Sequence, residues 1–340
     1  MKKNKPKVDI SVIAPIYNEE KNLPELYQRL KRAVSAVSSN HELIFVNDGS
    51  KDNSFGGLLN LGYEDPNVYY INLSRNFGHQ IAVTAGLDAC RGEVVVIIDG
   101  DLQDPPELIP ELYRKYVEGY DVVYAKRRSR KGESIFKKAT ARIFYRLLRK
   151  MTSVNMPVDT GDYRLMHRKI VEYLKKMPEQ NKFLRGQIAW LGLRQTGVLF
   201  DREQRKHGKT GYSIGKMIHF AMDGITGFSD KPLKVVTRLG FLISIFSFFV
   251  ILYAIYSHFF LHRTITGWTS LIISSMFIGG IQLLSIGIIG EYVNRIYKNV
   301  LNRPLYIIQD TNLKADEGES PKQKKPEVDI EKNNLPASSV

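Results

Sequence analysis

A single cysteine, Cys90, in 340 residues excludes an internal disulfide framework and a cysteine-built zinc site. It lies in an apolar-periodic stretch and reads as a small core residue. Acids are scarce where bases are dense: residues 126–151 hold eleven Lys or Arg against Glu133 alone, a local net charge of +10 within a chain total of +14. That excess calls for an anionic partner, and on charge alone nucleic acid, a lipid surface and phosphate-bearing ligands all qualify. Residues 239–261 and 264–290 lack Asp, Glu, Lys and Arg altogether. No secretory leader is expected either. The basic residues 1–7 lead into an apolar run at 8–16 that Asn18, Glu19 and Glu20 close too soon for a cleavable signal, so the N-terminal domain is expected in the cytosol. There is no internal repeat.

What is present begins with alternation. Residues 10–14, 43–46, 68–73, 94–98 and 122–125 are short, β-rich and nearly all apolar, as in strands covered on both faces. Between them, residues 23–37, 80–90 and 107–118 have helical spacing and length. The β-α-β-α order predicts an α/β fold with a doubly wound, mostly parallel sheet. Ligands of such sheets bind beyond the carboxyl ends of the strands. Polar clusters follow those ends directly: Asn18-Glu19, Asp48, and Asp99-Gly100-Asp101.

The two charge-free stretches are of a different kind. At 1.5 Å per residue the first spans about 35 Å, enough for a bilayer core of roughly 30 Å. Lys231, Lys234 and Arg238 precede it, and Arg295, Lys298 and Arg303 follow the second, so both outer flanks are expected in the cytoplasm. The expected organisation is a cytosolic catalytic domain over residues 1–230 and a membrane domain over 231–308, with two transmembrane helices at about 239–261 and 266–290. A disordered cytosolic tail is expected over 309–340, where Lys, Glu, Pro and Asn leave almost nothing to bury. Within the catalytic domain, residues 134–151 place apolar side chains at helical spacing among Lys and Arg, as in a basic helix lying in the headgroup layer of an anionic leaflet. Residues 213–229 form a second, weaker interfacial segment. The bland alternative for the first is a core helix with a solvated basic face.

Asp99-Gly100-Asp101-Leu102-Gln103, directly after the strand at 94–98, carries the most chemistry. Two carboxylates one residue apart at a strand end can bind a hard divalent cation, with diphosphate oxygens and water completing the shell. Mg²⁺ or Mn²⁺ there would draw charge off a departing nucleotide diphosphate. An Asp-x-Asp on a surface turn is common, so the weight lies in the strand before it and the motifs around it. Pro15-Ile16-Tyr17-Asn18-Glu19 and Asp48-Gly49-Ser50 each read singly as a turn. Together they set acidic and aromatic groups at adjacent strand ends, where a base and ribose could stack and hydrogen-bond.

Taken with Ser74-Arg75-Asn76-Phe77-Gly78, Thr160-Gly161-Asp162-Tyr163-Arg164 and Gly290-Glu291-Tyr292, these motifs resemble family 2 glycosyltransferases with the GT-A fold. The likeness runs over roughly residues 8–308 and is narrowest to the polyprenyl-phosphate glycosyltransferases, which include bactoprenol glucosyltransferases and dolichol-phosphate mannose synthases. It implies a donor pocket in which Pro15, Tyr17, Glu19 and Asp48 hold the nucleoside. Asp99 would lie near ribose and sugar, with Asp101 and Gln103 as metal ligands and Asp99 beside them. Asp162 matches a carboxylate near the anomeric centre and is the expected catalytic residue with Asp101; Asp159 is a weaker one. Arg127, Arg130, Lys137, Arg202 and Arg205 match positions that bind donor or acceptor phosphate, Arg127 and Arg205 foremost because a guanidinium binds phosphate bidentately. Gly100, Lys137, Thr210 and Ala141 depart mildly from the family pattern.

The resemblance thus implies an inverting hexosyl transfer, glucose first, from a UDP-sugar to undecaprenyl or another polyprenyl phosphate at the cytoplasmic membrane face. The implied protein is multi-pass in the inner membrane with both termini cytoplasmic, has no nucleic-acid partner and is compatible with a homo-oligomer. Two rival readings share part of this pattern. A processive polysaccharide synthase shares the paired aspartates but carries Gln-x-x-Arg-Trp and more spans, whereas Gln187-Ile188-Ala189-Trp190 lacks the arginine. A non-catalytic, membrane-tethered polyanion-binding module leaves the strand-end acids unexplained, since they would repel a polyanion.

Overall fold

The computed structural model describes residues 8–128, 157, 160–201, 227, 229, 231–260 and 267–313. Its strands form where apolar runs can be covered from both sides. They are β1 (Val8–Ile16), β2 (His41–Asn47), β3 (Val68–Leu73), β4 (Gly92–Ile97), β5 (Val122–Arg127), β6 (Thr160–His167), β7 (Gln195–Phe200) and β8 (Ile308–Thr311). The helices are α1 (Leu23–Ser35), α2 (Ser54–Glu64), α3 (His79–Ala89), α4 (Ile109–Val117), α5 (Arg168–Lys175), α6 (Leu184–Trp190), α7 (Lys231–Phe260) and α8 (Trp268–Leu301).

All eight strands join one sheet in the order β7-β5-β6-β4-β1-β2-β3-β8. Four of its seven pairings are parallel: β1 with β2 and β4, β2 with β3, and β5 with β7. β6 runs antiparallel between β4 and β5, and β8 antiparallel along β3. Period-two alternation splits the core. Ile10, Val12, Ala14 and Ile16 of β1 face Leu26 and Leu30 of α1 and Leu112 of α4, while Ile13 faces the side of α3, α5 and α6. The expected doubly wound α/β sheet is therefore present, with an antiparallel strand at its centre that periodicity did not reveal.

One expected boundary is corrected. Residues 309–311, foreseen as the start of a tail, belong instead to the strand Ile308–Thr311 paired with β3, and residues 314–340 lie outside the described residues. Beyond it the Asn312 side chain accepts from the Tyr70 amide at 2.8 Å and donates to the Val68 carbonyl at 3.0 Å. A polar edge strand is held by its backbone, so a lack of apolar residues is no bar to order. Residues 134–151, and 213–229 apart from Gly227 and Ser229, lie outside the described residues. α7 and α8 are long and apolar enough to cross a membrane, with mean hydropathies of 1.8 and 1.6 over their apolar windows and none of either window buried.

Asn312→Ala removes both side-chain bonds and strands the Tyr70 amide. It should cost about 1–2 kcal/mol, read as a fall in the thermal midpoint of the purified protein. An unchanged midpoint would refute a structural role for this edge.

Candidate active site

The loops after β1 and β2 are laced together. Asn18 adopts φ +58°, its amide donating to Ser50 Oγ at 3.0 Å and its side-chain oxygen accepting from the Lys51 amide at 2.7 Å. The Glu19 amide donates to Ser54 Oγ at 3.0 Å. This leaves Pro15 buried at the strand end and Tyr17 43 % exposed beyond it, available to a flat ring.

Asp48 is buried and takes backbone amides from Phe77 at 2.7 Å and Gly78 at 3.0 Å. Its immediate partner is thus the 74–78 loop and the first turn of α3. Burial pushes its carboxyl above the usual carboxylate range despite the two amides. Gly49 follows at φ +66°, where a Cβ would lie 2.5 Å from the Arg75 and Asn76 backbone. Only glycine admits that crossing.

Asp99, Asp101 and Gln103 follow β4 as expected. Gly100 between the carboxylates passes so near β1 that a Cβ would sit 2.9 Å from the Pro15 carbonyl oxygen. Leu102 is buried with φ +58°, a left-handed conformation costly for a bulky residue and characteristic of sites that hold strain. The Gln103 amide donates to Asp101 Oδ1 at 3.1 Å and shapes the turn. Asp99 Oδ1 is buried without a hydrogen bond, 3.5 Å from His79 Nε2. Burial raises the Asp99 carboxyl, with the charges of Asp162 and Asp101 adding to it against His79. The orphaned Asp99 carboxylate oxygen, with Asp101 and Gln103 two and four residues on, offers oxygen donors of the sort Mg²⁺ and Mn²⁺ take. Among the described residues no three His, Cys, Asp or Glu side chains form a complete cage, so such an ion would need donor phosphate or water as well.

β6 supplies the opposite wall, and its alternation sorts the charges. On one face a Cβ at Gly161 would lie 3.4 Å from Arg127 Nη2 and 3.8 Å from Asp104 Oδ2. On the other, Asp162 accepts from Arg185 Nε at 2.7 Å and Nη2 at 3.2 Å, and from Gln80 Nε2 at 3.0 Å. His79 Nε2 lies 3.1 Å from the same carboxylate. Burial opposes ionisation of Asp162, yet Arg185 and His79 outweigh it and hold the carboxyl well below the usual range. Burial likewise opposes the His79 charge, but Asp162 and Asp99 push its pKa up to about 9.

Asp99 and Asp162 are therefore brought together through His79, while Arg127 stands one residue along the strand, beside Asp104. Arg130, Lys137, Arg202, Arg205 and Asp159 lie outside the described residues. His79, Gln80 and Arg185 were missed by sequence reasoning. The one available signal was the position of His79 and Gln80 straight after the Ser74–Gly78 motif; Arg185 has no local signature.

A family model described as glycosyl transferase family 2 matches residues 11–174. The chain is 50 % identical over 302 residues to the glycosyltransferase YkcC of Bacillus subtilis (strain 168), covering 89 % of this chain and 94 % of that one. It is 38 % identical over 303 residues to the bactoprenol glucosyl transferase of Shigella phage SfII, covering 89 % and 98 %. Among solved structures, the mannosyltransferase PcManGT of Pyrobaculum calidifontis, in complex with GDP-Man and Mn²⁺, aligns with a TM-score of 0.43 at 19 % identity, over 61 % of this chain and 60 % of that one.

The Asp162–Arg185 pair is testable by a double-mutant cycle. Arg185→Ala leaves a buried carboxylate short of its bidentate cation and should cost about 3 kcal/mol or more. Adding Asp162→Asn should restore part of that loss, so the two effects do not sum. Additive effects on the unfolding midpoint would contradict the pairing.

Proposed function

Since the chain belongs to glycosyl transferase family 2, we propose that it transfers a hexose, glucose first, from a UDP-sugar to a polyprenyl phosphate at the cytoplasmic face of the membrane. The observation that carries this reading is the joining of Asp99 and Asp162, from two different strand ends, through His79. It makes one walled acidic site just where an α/β sheet binds ligands. Support for the acceptor comes from relatives named bactoprenol glucosyl transferase over 98 % of their length and from two long apolar helices beside the catalytic domain.

In this mechanism Tyr17, Pro15 and Glu19 flank the nucleoside. Asp48 acts mainly by fixing the 74–78 loop beside it. Asp101 and Gln103, with Asp99, would hold Mg²⁺ or Mn²⁺, which when bound offsets the charge gathering on the departing diphosphate. The acceptor phosphate oxygen attacks the anomeric carbon from the face opposite the diphosphate. The new C–O bond forms as the old one breaks, and the bonding pair leaves with UDP, which inverts the centre. A phosphate monoester has a second pKa near 6, so its dianion brings no proton that must be removed. The depressed pKa of Asp162 is in keeping with that: the group is a poor proton acceptor but a fixed negative charge near a carbon that turns positive in the transition state. Arg127, with Arg130, Lys137, Arg202 and Arg205, is assigned to the phosphates, where cations relieve repulsion between acceptor and donor.

Membranes bearing the protein, incubated with radiolabelled UDP-sugars, Mg²⁺ or Mn²⁺ and undecaprenyl phosphate, should yield one labelled lipid. Chelation with EDTA should abolish the product and either ion restore it, while Asp101→Asn should lower the rate by about 10²-fold or more. Full transfer by that variant, or in EDTA, would remove the metal from the mechanism. No labelled lipid from any donor would remove the acceptor assignment.

A further inference from the structure

Away from the site, a crevice of about 770 Å³ lies under α5 and α6, within the size range of small-ligand pockets. Its walls include Tyr173, Met177, Trp190 and Leu191, with Lys176 beside them and Gly227 and Ser229, just ahead of α7, closing it. Tyr173 is 49 % exposed and Trp190 63 % exposed, so both rings are open to an apolar partner. Glu179 also lines the crevice, but its carboxylate accepts from Gln187 Nε2 at 3.1 Å.

The height of this crevice is fixed by α8. Ser229 accepts a 2.7 Å hydrogen bond from Tyr292 Oη, and a Cβ on Gly227 would lie 3.6 Å from Arg295 Nη1. The charge-free run of α8 ends at Gly290. Tyr292 and Arg295 are thus roughly 3–8 Å farther along the axis at 1.5 Å per residue. A bilayer's polar layer occupies about 5–8 Å on each side of its core. Trp and Tyr concentrate at that depth, where an amphipathic ring meets both hydrocarbon and water. Lysines there attract anionic lipid. An adjoining cleft of about 300 Å³ adds Lys175, Lys182 and Arg303 to the same side.

We propose that the crevice beneath α5 and α6 seats an anionic phospholipid of the surrounding leaflet, with Trp190 and Tyr173 against its glycerol and upper acyl region and Lys176 at its headgroup. The inference rests on the reading that α7 and α8 span the bilayer, but not on the identity of donor or acceptor. It gives the catalytic domain a footing on the membrane beyond α7 and α8.

The chain holds two tryptophans, Trp190 and Trp268, so Trp268→Phe leaves Trp190 as sole reporter. The full-length variant is placed in nanodiscs of phosphatidylglycerol or of phosphatidylcholine, each with a trace of headgroup spin-labelled lipid. Blue-shifted Trp190 emission, quenched by the label and shielded from acrylamide, is expected in phosphatidylglycerol. Lys176→Gln should weaken the quenching there and leave it unchanged in phosphatidylcholine. Water-like emission open to acrylamide would overturn the site, and equal quenching in both lipids would overturn its anionic selectivity. Because no sugar donor or acceptor is present, a negative transfer assay leaves this result standing, and a positive one cannot rescue it.

Discussion

A buried carboxylate must be matched by cations, and at Asp162 that requirement organises the whole catalytic end of the sheet. Arg185 arrives from α6, His79 and Gln80 from α3, and Asp162 itself from β6. Three elements far apart in sequence are held by one group of four atoms. His79 also lies 3.5 Å from Asp99, so Asp99 and Asp162 share a partner. Removing any member alters the charge felt by the others, which is why their pKa values move in opposite directions.

His79 stands at the N-terminus of α3, where the helix dipole disfavours a positive charge. Three carboxylates offset that cost. Asp99 and Asp162 face the imidazole, and Asp48 receives the amides of Phe77 and Gly78 at the start of the helix. The Asp-Gly-Ser turn after β2 therefore acts at one remove: Asp48 sets the loop, the loop sets His79, and His79 sets the relation of Asp99 to Asp162. Gly49 makes the path passable, since any side chain there would meet the loop backbone.

Strands β1 to β5 were legible because apolar runs covered on both faces have few other interpretations. β6 was seen only as a motif. Its charged residues Asp162 and Arg164 are buried, and a strand that hides charge does not read as apolar. α2, Ser54–Glu64, carries three glycines in eleven residues, which blurs helical spacing. β8 is Ile-Gln-Asp-Thr, an edge held by backbone bonds rather than by side-chain burial. At the site, Asp48, Asp99 and Asp101 could be found because they follow strands, whereas Asp162, inside β6, was marked only by its motif. Arg185 could not, since nothing within its own short helix marks a guanidinium that reaches a different strand.

The stretch after α8 links the two halves of the chain. Asn299 near the helix end accepts from the Gln180 amide at 3.0 Å, and Tyr306 Oη donates to Asp88 Oδ2 at 2.9 Å. The Ile307 carbonyl accepts from the amide of Ser74, the first residue of the loop that Asp48 fixes, at 3.0 Å. α3 is accordingly tied near both ends. Asp48 holds the end that presents His79, and Tyr306, five residues beyond α8, holds Asp88 at the other. Burial raises the Asp88 carboxyl, and the Tyr306 hydrogen bond and nearby lysines partly counter it. A helix pinned at one end could pivot and carry His79 away from Asp162. Pinned at both, it transmits the position of α8 to the site.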